Sequence, residues 1–174
     1  MAGALGVCIG ALSFAFNMRA TAKNRKVTFT NNMLSSLWSK ESNRDIAELL
    51  SMKWTDYDDF YRKYDSSVNP ENWAKRIYFY NRFNNVGWQL RSGMIDWDTL
   101  YRQGDFGLTL WRKFGPIIKE YEKRGTAKYW YKDWEYLAGR VEEKYSLEDK
   151  KRQKYMDEHA FEHGDVTPAK ENKQ

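Results

Sequence analysis

A single cysteine rules out any disulfide within the chain and agrees with a reducing compartment. Histidine is almost as scarce, with two in the whole sequence, so little imidazole is on hand for acid–base or metal chemistry. Three prolines and few β-branched residues argue against strands. No excess of one charge sign exists: 29 Lys and Arg stand against 24 Asp and Glu, a net charge of +5. A mixed balance of this kind argues against an extended surface that follows a phosphate backbone. Neither G-x-x-x-x-G-K-[ST] nor G-x-G-x-x-G occurs, which leaves a phosphate-cradling loop without support. No serine or cysteine sits in a recognisable nucleophile motif, and the ligand order of a calcium-binding EF-hand is missing.

Charge is also missing locally. Residues 1–18, MAGALGVCIGALSFAFNM, carry no ionisable side chain except Cys8. A bilayer core of about 30 Å takes about 20 helical residues, within a range of about 17 to 25, so the run reads as a short transmembrane anchor. A cleaved secretory signal fits poorly: no basic residue precedes the run and no small-residue cleavage site follows it. Ala2 stands where N-myristoylation needs glycine. Arg19, Lys23, Arg25 and Lys26 come next, as expected of a cytoplasmic flank in contact with anionic headgroups. That orientation puts the amino terminus outside and the bulk of the chain in the cytoplasm. Gly6 and Gly10 form a G-x-x-x-G, a face on which a second helix can pack closely.

What the sequence has in quantity is aromatic residues, 17% of the chain with eight Trp and twelve Tyr. Large rings with polar tips suit the core of a small helical domain. Residues 19–41 read as a basic juxtamembrane helix that continues the anchor, with Val27, Met33, Leu34, Leu37 and Trp38 in approximate helical register. Residues 42–144 read as the helical domain. Ser42 or Asn43 caps its first helix, and a capping box at Thr55 opens the next, with Tyr57, Phe60, Tyr61 and Tyr64 on one face. Asn69 and Pro70 start a long helix whose core face is Trp73, Ile77, Tyr80, Phe83 or Asn84, Gly87 and Leu90, ended by Gly93. Asp96 caps a short piece to Tyr101. The following helix runs from Phe106, is kinked or broken at Gly115-Pro116, and stops at Gly125. Trp130, Trp134, Leu137 and Val141 mark the last amphipathic face. Residues 145–174 form a polar tail, helical for some turns and then disordered.

Three constellations hint at chemistry. His159, Glu162 and His163 spell H-x-x-E-H, a zinc pattern, but they sit in the polar tail with little chain after them to supply a third ligand. Asp56, Asp58 and Asp59 read as the first turn of a helix, where the dipole favours carboxylates. Arg91 and Asp96 flank a predicted helix break and make the one candidate polar site for an enzyme. Arg76, Arg82, Arg91, Arg102 and Arg112 interleave with aromatics, as single-strand nucleic-acid binders do, yet they read as rim residues whose stems cover rings. No metal and no cofactor is expected.

The segments LLSMKWTDYDDFYRKY, IYFYNRFNNVGWQLRSGMIDWDTLY, LWRKFGPIIKEY and WYKDWEYLAGRV resemble an uncharacterised prokaryotic family, domain of unknown function four-seven-six-zero. The matching positions are Trp54 to Phe60, Phe83 to Gly87, Arg91, Gly93 to Asp98, Trp111 with Gly115-Pro116, and Trp134 to Leu137, within residues 1–142. The resemblance implies one amino-terminal membrane helix followed by an all-helical domain. It implies no activity and no catalytic residue.

The expected protein is all-α: one transmembrane helix continuing into a small, aromatic-rich cytoplasmic domain. Its expected function is non-catalytic, as a membrane-tethered interaction or scaffold module or a small subunit of a membrane assembly. Its expected partners are membrane lipid and a protein partner or a second copy. An unrecognised enzyme at the membrane face and a helical nucleic-acid binder are the alternatives.

Overall fold

The structure, a computed structural model, describes residues 2–35, 37–102, 104–105, 107–125 and 130–158; side chains within those spans are described from residue 10 to residue 151 and at 154. Among the described residues every regular element is an α-helix. They run α1 (Ala2–Ser35), α2 (Lys40–Ser51), α3 (Tyr57–Tyr64), α4 (Pro70–Arg91), α5 (Trp97–Tyr101), α6 (Leu108–Lys123) and α7 (Lys132–Glu158). The run expected to be an anchor and the segment after it are thus one helix from Ala2, and the expected tail continues α7 as far as Glu158. Residues 159–174, with the histidine motif, lie outside the described residues. Among the described residues no helix is long and apolar enough to cross a membrane.

Side-chain caps set most helix starts. Asn69 Oδ1 accepts from the Asn72 N–H at 3.1 Å with Pro70 in the first turn, and Asp96 Oδ2 accepts from the Thr99 N–H at 2.8 Å. α2 begins a turn earlier than its sequence indicated: Ser39, not Ser42 or Asn43, is extended and accepts from the Ser42 N–H at 3.0 Å. At α3 the cap moves one residue, from Thr55 to Asp56, which accepts from the Asp59 N–H at 2.8 Å. Asp59 answers as in a capping box, accepting from the Thr55 N–H at 3.2 Å. It also holds Arg62 at 2.8 Å and Lys63 at 2.7 Å. α4 ends in a Schellman turn: Gly93 has φ 71°, its N–H reaches the Leu90 carbonyl, and the Met94 N–H reaches that of Gln89.

α6 runs unbroken through Pro116, against the expected interruption. The ring removes one helical hydrogen bond. Phe114, Ile117 and Ile118 are nevertheless buried on both sides of it, and that packing holds the two halves in one continuous helix, so the expected break is absent. Gly125, at φ 76°, follows the helix end as expected.

α4 packs along α7 and α6 packs on α7, while α2 and α3 close over α4. Trp134 of α7 is fully buried. Its ring meets Phe83 at 5.5 Å, Tyr80 at 5.2 Å and Trp111 at 5.1 Å, and its Nε1–H donates to the Gly107 carbonyl at 3.1 Å. Gly87 makes the close α4–α7 approach possible, because a Cβ there would stand 1.9 Å from the Asp133 carbonyl oxygen. Covered from two sides, α4 buries Arg76, Phe79 and Val86 besides Tyr80, Phe83 and Gly87, and leaves Trp73 exposed. Two readings are corrected by this: Trp73 is off the core face, and Arg76 is inside rather than on the rim. Trp130 precedes α7 and is exposed, leaving Trp134, Leu137 and Val141 as the buried face.

α1 joins the domain only near its carboxyl end. Thr30 is buried, its hydroxyl donating to the Lys26 carbonyl at 2.7 Å and accepting from the Asp96 N–H at 3.2 Å. Leu34 follows into the core, whereas residues 10–26 are exposed throughout.

Substituting Gly87 with alanine forces backbone against backbone. The expected loss is about 2 kcal/mol or more, read as a fall of roughly 4 to 8 °C in the midpoint of a thermal melt. Acid stability carries a second expectation. Lys63, the Thr55 N–H and Arg62 hold the Asp59 carboxyl down from 3.8 to about 2. Its folded pKa lies below its unfolded one, so the ionised group stabilises the fold above the higher value, and the contribution is lost as pH falls from 3.8 towards about 2. Denaturation titrations should show a shallower acid limb for Asp59→Asn than for the unsubstituted chain.

Candidate functional site

Two regions have more surface or more charge than the fold itself uses. The first is the amino-terminal half of α1. Leu12, Phe14, Phe16 and Met18 are 60, 67, 68 and 57% exposed. Successive residues of an α-helix turn by about 100°, so these four fall on opposite sides of the helix rather than in one stripe. Arg19, Lys23, Arg25 and Lys26 follow, all exposed. Lys23 and Lys26 lie near enough to Asp96 to help hold its carboxyl low, after the larger effect of the Thr99 hydroxyl and N–H. At Gly10 a Cβ would meet nothing within 4 Å, so that face is open. The surroundings of Gly6 lie outside the described side chains.

The second region is a cavity of about 260 Å³ among α3, α4, α6 and the residues leading into α7. Tyr61, Trp73, Tyr80, Tyr121, Trp130 and Tyr131 wall it, and Arg76 and Asp65 bring charge to it. Arg76 is 2% exposed. Its Nε–H donates to Asn72 Oδ1 at 3.0 Å, its Nη2–H donates to the Tyr64 carbonyl, and its guanidinium lies over the Phe60 ring at 4.7 Å. Among the described residues no carboxylate lies within ion-pair distance of it. The Tyr80 hydroxyl, equally enclosed, has no hydrogen-bond partner. Burial pushes the Tyr80 and Tyr121 phenols up, and Arg76 opposes that rise with its charge and with N–H groups close to both phenol oxygens, so what the Tyr80 hydroxyl lacks is an acceptor for its own proton. The Ser67 N–H and hydroxyl hold Asp65 low, so it is an anion at neutral pH. Tyr131 has φ 62°, a left-handed backbone that few non-glycine residues adopt.

Arg91 and Asp96 occupy separate structural posts. Arg91 pairs with Asp133 at 2.7 Å near the start of α7, and Asp96 caps α5. Neither lines the cavities among the described residues. Asp56 caps α3, Asp58 pairs with Arg124 at 2.8 Å and Asp59 holds Arg62 and Lys63. Among the described residues no group of three His, Cys, Asp or Glu could hold a metal ion. Arg112 pairs with Glu142 at 3.0 Å, so this rim arginine faces a carboxylate. The cavity was missed in the sequence because an apolar count discards arginine. Its one signal was position: Asn72, Arg76, Tyr80 and Phe83 recur at helical spacing.

A family model with the description Domain of unknown function (DUF4760) matches residues 1–141. No curated protein and no solved structure matches the chain.

Thr30 is the joint between α1 and the domain, and its side chain can be tested alone. Thr30→Val keeps the shape and leaves the Asp96 N–H without its acceptor, at an expected cost of about 1 to 3 kcal/mol. Hydrogen exchange should speed up at Asp96 and Trp97, while the amides of α4 stay as slow as before.

Proposed function

The chain belongs to the family Domain of unknown function (DUF4760), and we propose for it the role of a membrane-tethered helical interaction module. In this reading residues 1–18, of which 1–9 lie outside the described side chains, span the bilayer, and Arg19, Lys23, Arg25 and Lys26 rest on anionic headgroups. The aromatic domain lies on the cytoplasmic side, the basic flank being the side retained there. The observation that carries this reading is the exposure of Leu12, Phe14, Phe16 and Met18 on a helix that enters the core only from Thr30 onward. Single exposed apolar side chains are ordinary in soluble monomers, but four large ones within two turns are not. A groove in a partner protein, or the plane of a membrane interface, would call for a stripe on one side. Apolar side chains on opposite sides call for a medium that surrounds the helix.

Tethering holds the domain at one surface and raises its effective concentration towards partners there. The partner is a protein of the same membrane or a second copy packed along Gly6 and Gly10. Catalysis has no support in the arrangement of Arg91 and Asp96, the first pairing α4 with the start of α7 and the second capping α5.

The test is an alkaline carbonate wash of membranes carrying the full chain, beside a chain lacking residues 1–18. The full chain should stay in the washed membrane, and the shortened one should be released and keep its helical circular dichroism. Full chain in the supernatant would overturn the tether. A shortened chain that unfolds would show residues 1–18 to be part of the core instead.

A further inference from the structure

The cavity around Arg76 has features that core packing does not need. Burying a guanidinium without a counter-charge is costly, and folds that do so for stability supply a carboxylate. Here a carbonyl, an amide oxygen and the face of Phe60 hold the cation in place. Asn72 and Tyr64 engage one N–H each, and the remaining guanidinium donors face the Tyr80 and Tyr121 phenol oxygens beside the cavity. The Tyr80 hydroxyl adds a second buried donor without an acceptor. Trp73 and Trp130 stand at the cavity 41 and 54% exposed, although the core has room for larger burial of indole elsewhere, as at Trp134. Tyr131 lines it with the one positive φ of a non-glycine residue among the described residues. Backbone strain of this kind collects at ligand sites.

We propose that this cavity binds a small aromatic carboxylate, with the carboxylate against Arg76 and the Tyr80 hydroxyl and the ring among Trp73, Trp130 and Tyr131. Size limits the ligand. A cavity of ~150 Å³ accepts benzene, and about 260 Å³ therefore admits one ring with a short arm. Charge limits it further. Arg76 repels an ammonium group. Asp65 shares the cavity, so a doubly charged phosphate would meet a carboxylate along with the single cation. Arg76 and Asp65 cancel each other, so an anion held here carries a single charge and sits against Arg76, away from Asp65. The inference is independent of the membrane tether, because none of the lining residues belongs to α1.

The experiment uses the full chain in phosphatidylcholine nanodiscs. Phenylacetate, phenylacetamide and 2-phenylethylamine are titrated by calorimetry, with empty nanodiscs as the blank. Phenylacetate should saturate one site per chain, and the amide and the amine should bind at least tenfold more weakly. Tyr80→Phe and Trp130→Ala should each weaken phenylacetate severalfold with unchanged melting. Arg76→Gln should erase the preference for phenylacetate over phenylacetamide. If that variant does not fold, the Tyr80 and Trp130 variants decide. Failure of phenylacetate to saturate, equal binding of the amide or amine to the unsubstituted chain, or affinity untouched by Tyr80→Phe and Trp130→Ala would each overturn the proposal.

Discussion

The closeness of α4 and α7 is the constraint on which the rest of the structure depends. Gly87 lets the Asp133 carbonyl lie where a side chain would otherwise be. Asn84, one turn earlier on α4, accepts from the N–H groups of Asp133 at 3.1 Å and Trp134 at 3.2 Å, and so caps the start of α7 from another helix. Those contacts seat Trp134 against Phe83, Tyr80 and Trp111. The indole N–H then fixes the Gly107 carbonyl, where α6 begins in a left-handed turn of φ 72°. Three helices are placed by one buried ring and one missing side chain. The same placement brings Tyr131 to Tyr80 and closes the cavity over Arg76.

Helix ends with a local chemical cause were legible. Asn69-Pro70, Asp96, Gly93 and Gly125 act within a few residues of themselves, and each stands where its own chemistry placed it. What depends on distant partners was not legible. The α7 cap comes from Asn84, and nothing near Lys132 announces it. Pro116 stays helical because Phe114, Ile117 and Ile118 are held by the core, which outweighs one lost hydrogen bond. Arg76 was placed on the rim because a charged residue in a helix is ordinarily solvated. Its burial follows from α3 and α6 meeting over α4, with Tyr64 and Phe60 supplying the carbonyl and the ring that hold it. The single-face reading of α4 failed for the same reason, since two sets of neighbours cover that helix.

The molecule divides into a packed part and a free part on one continuous helix. Beyond Thr30 the side chains of α1 enter the core; before it, apolar and basic side chains alike stand clear. An apolar stretch followed by four cations matches the order of a bilayer's layers, hydrocarbon and then headgroup. The domain behind it is ring-filled and crossed by ion pairs such as Arg91–Asp133 and Arg124–Asp58. Arg76, buried in that domain without a carboxylate at ion-pair distance, faces a cavity that Asp65 also lines.

The central claim is that lipid surrounds the free half of α1 while its joint with the domain stays in water. Spin labels report this most directly. With Cys8 replaced by alanine, single cysteines at positions 12, 16 and 29 are labelled, and the full chain is placed in vesicles containing anionic lipid. Labels at 12 and 16 should collide with oxygen and be hidden from a water-soluble nickel complex, and the label at 29 should show the reverse. Nickel access at all three positions would contradict the account.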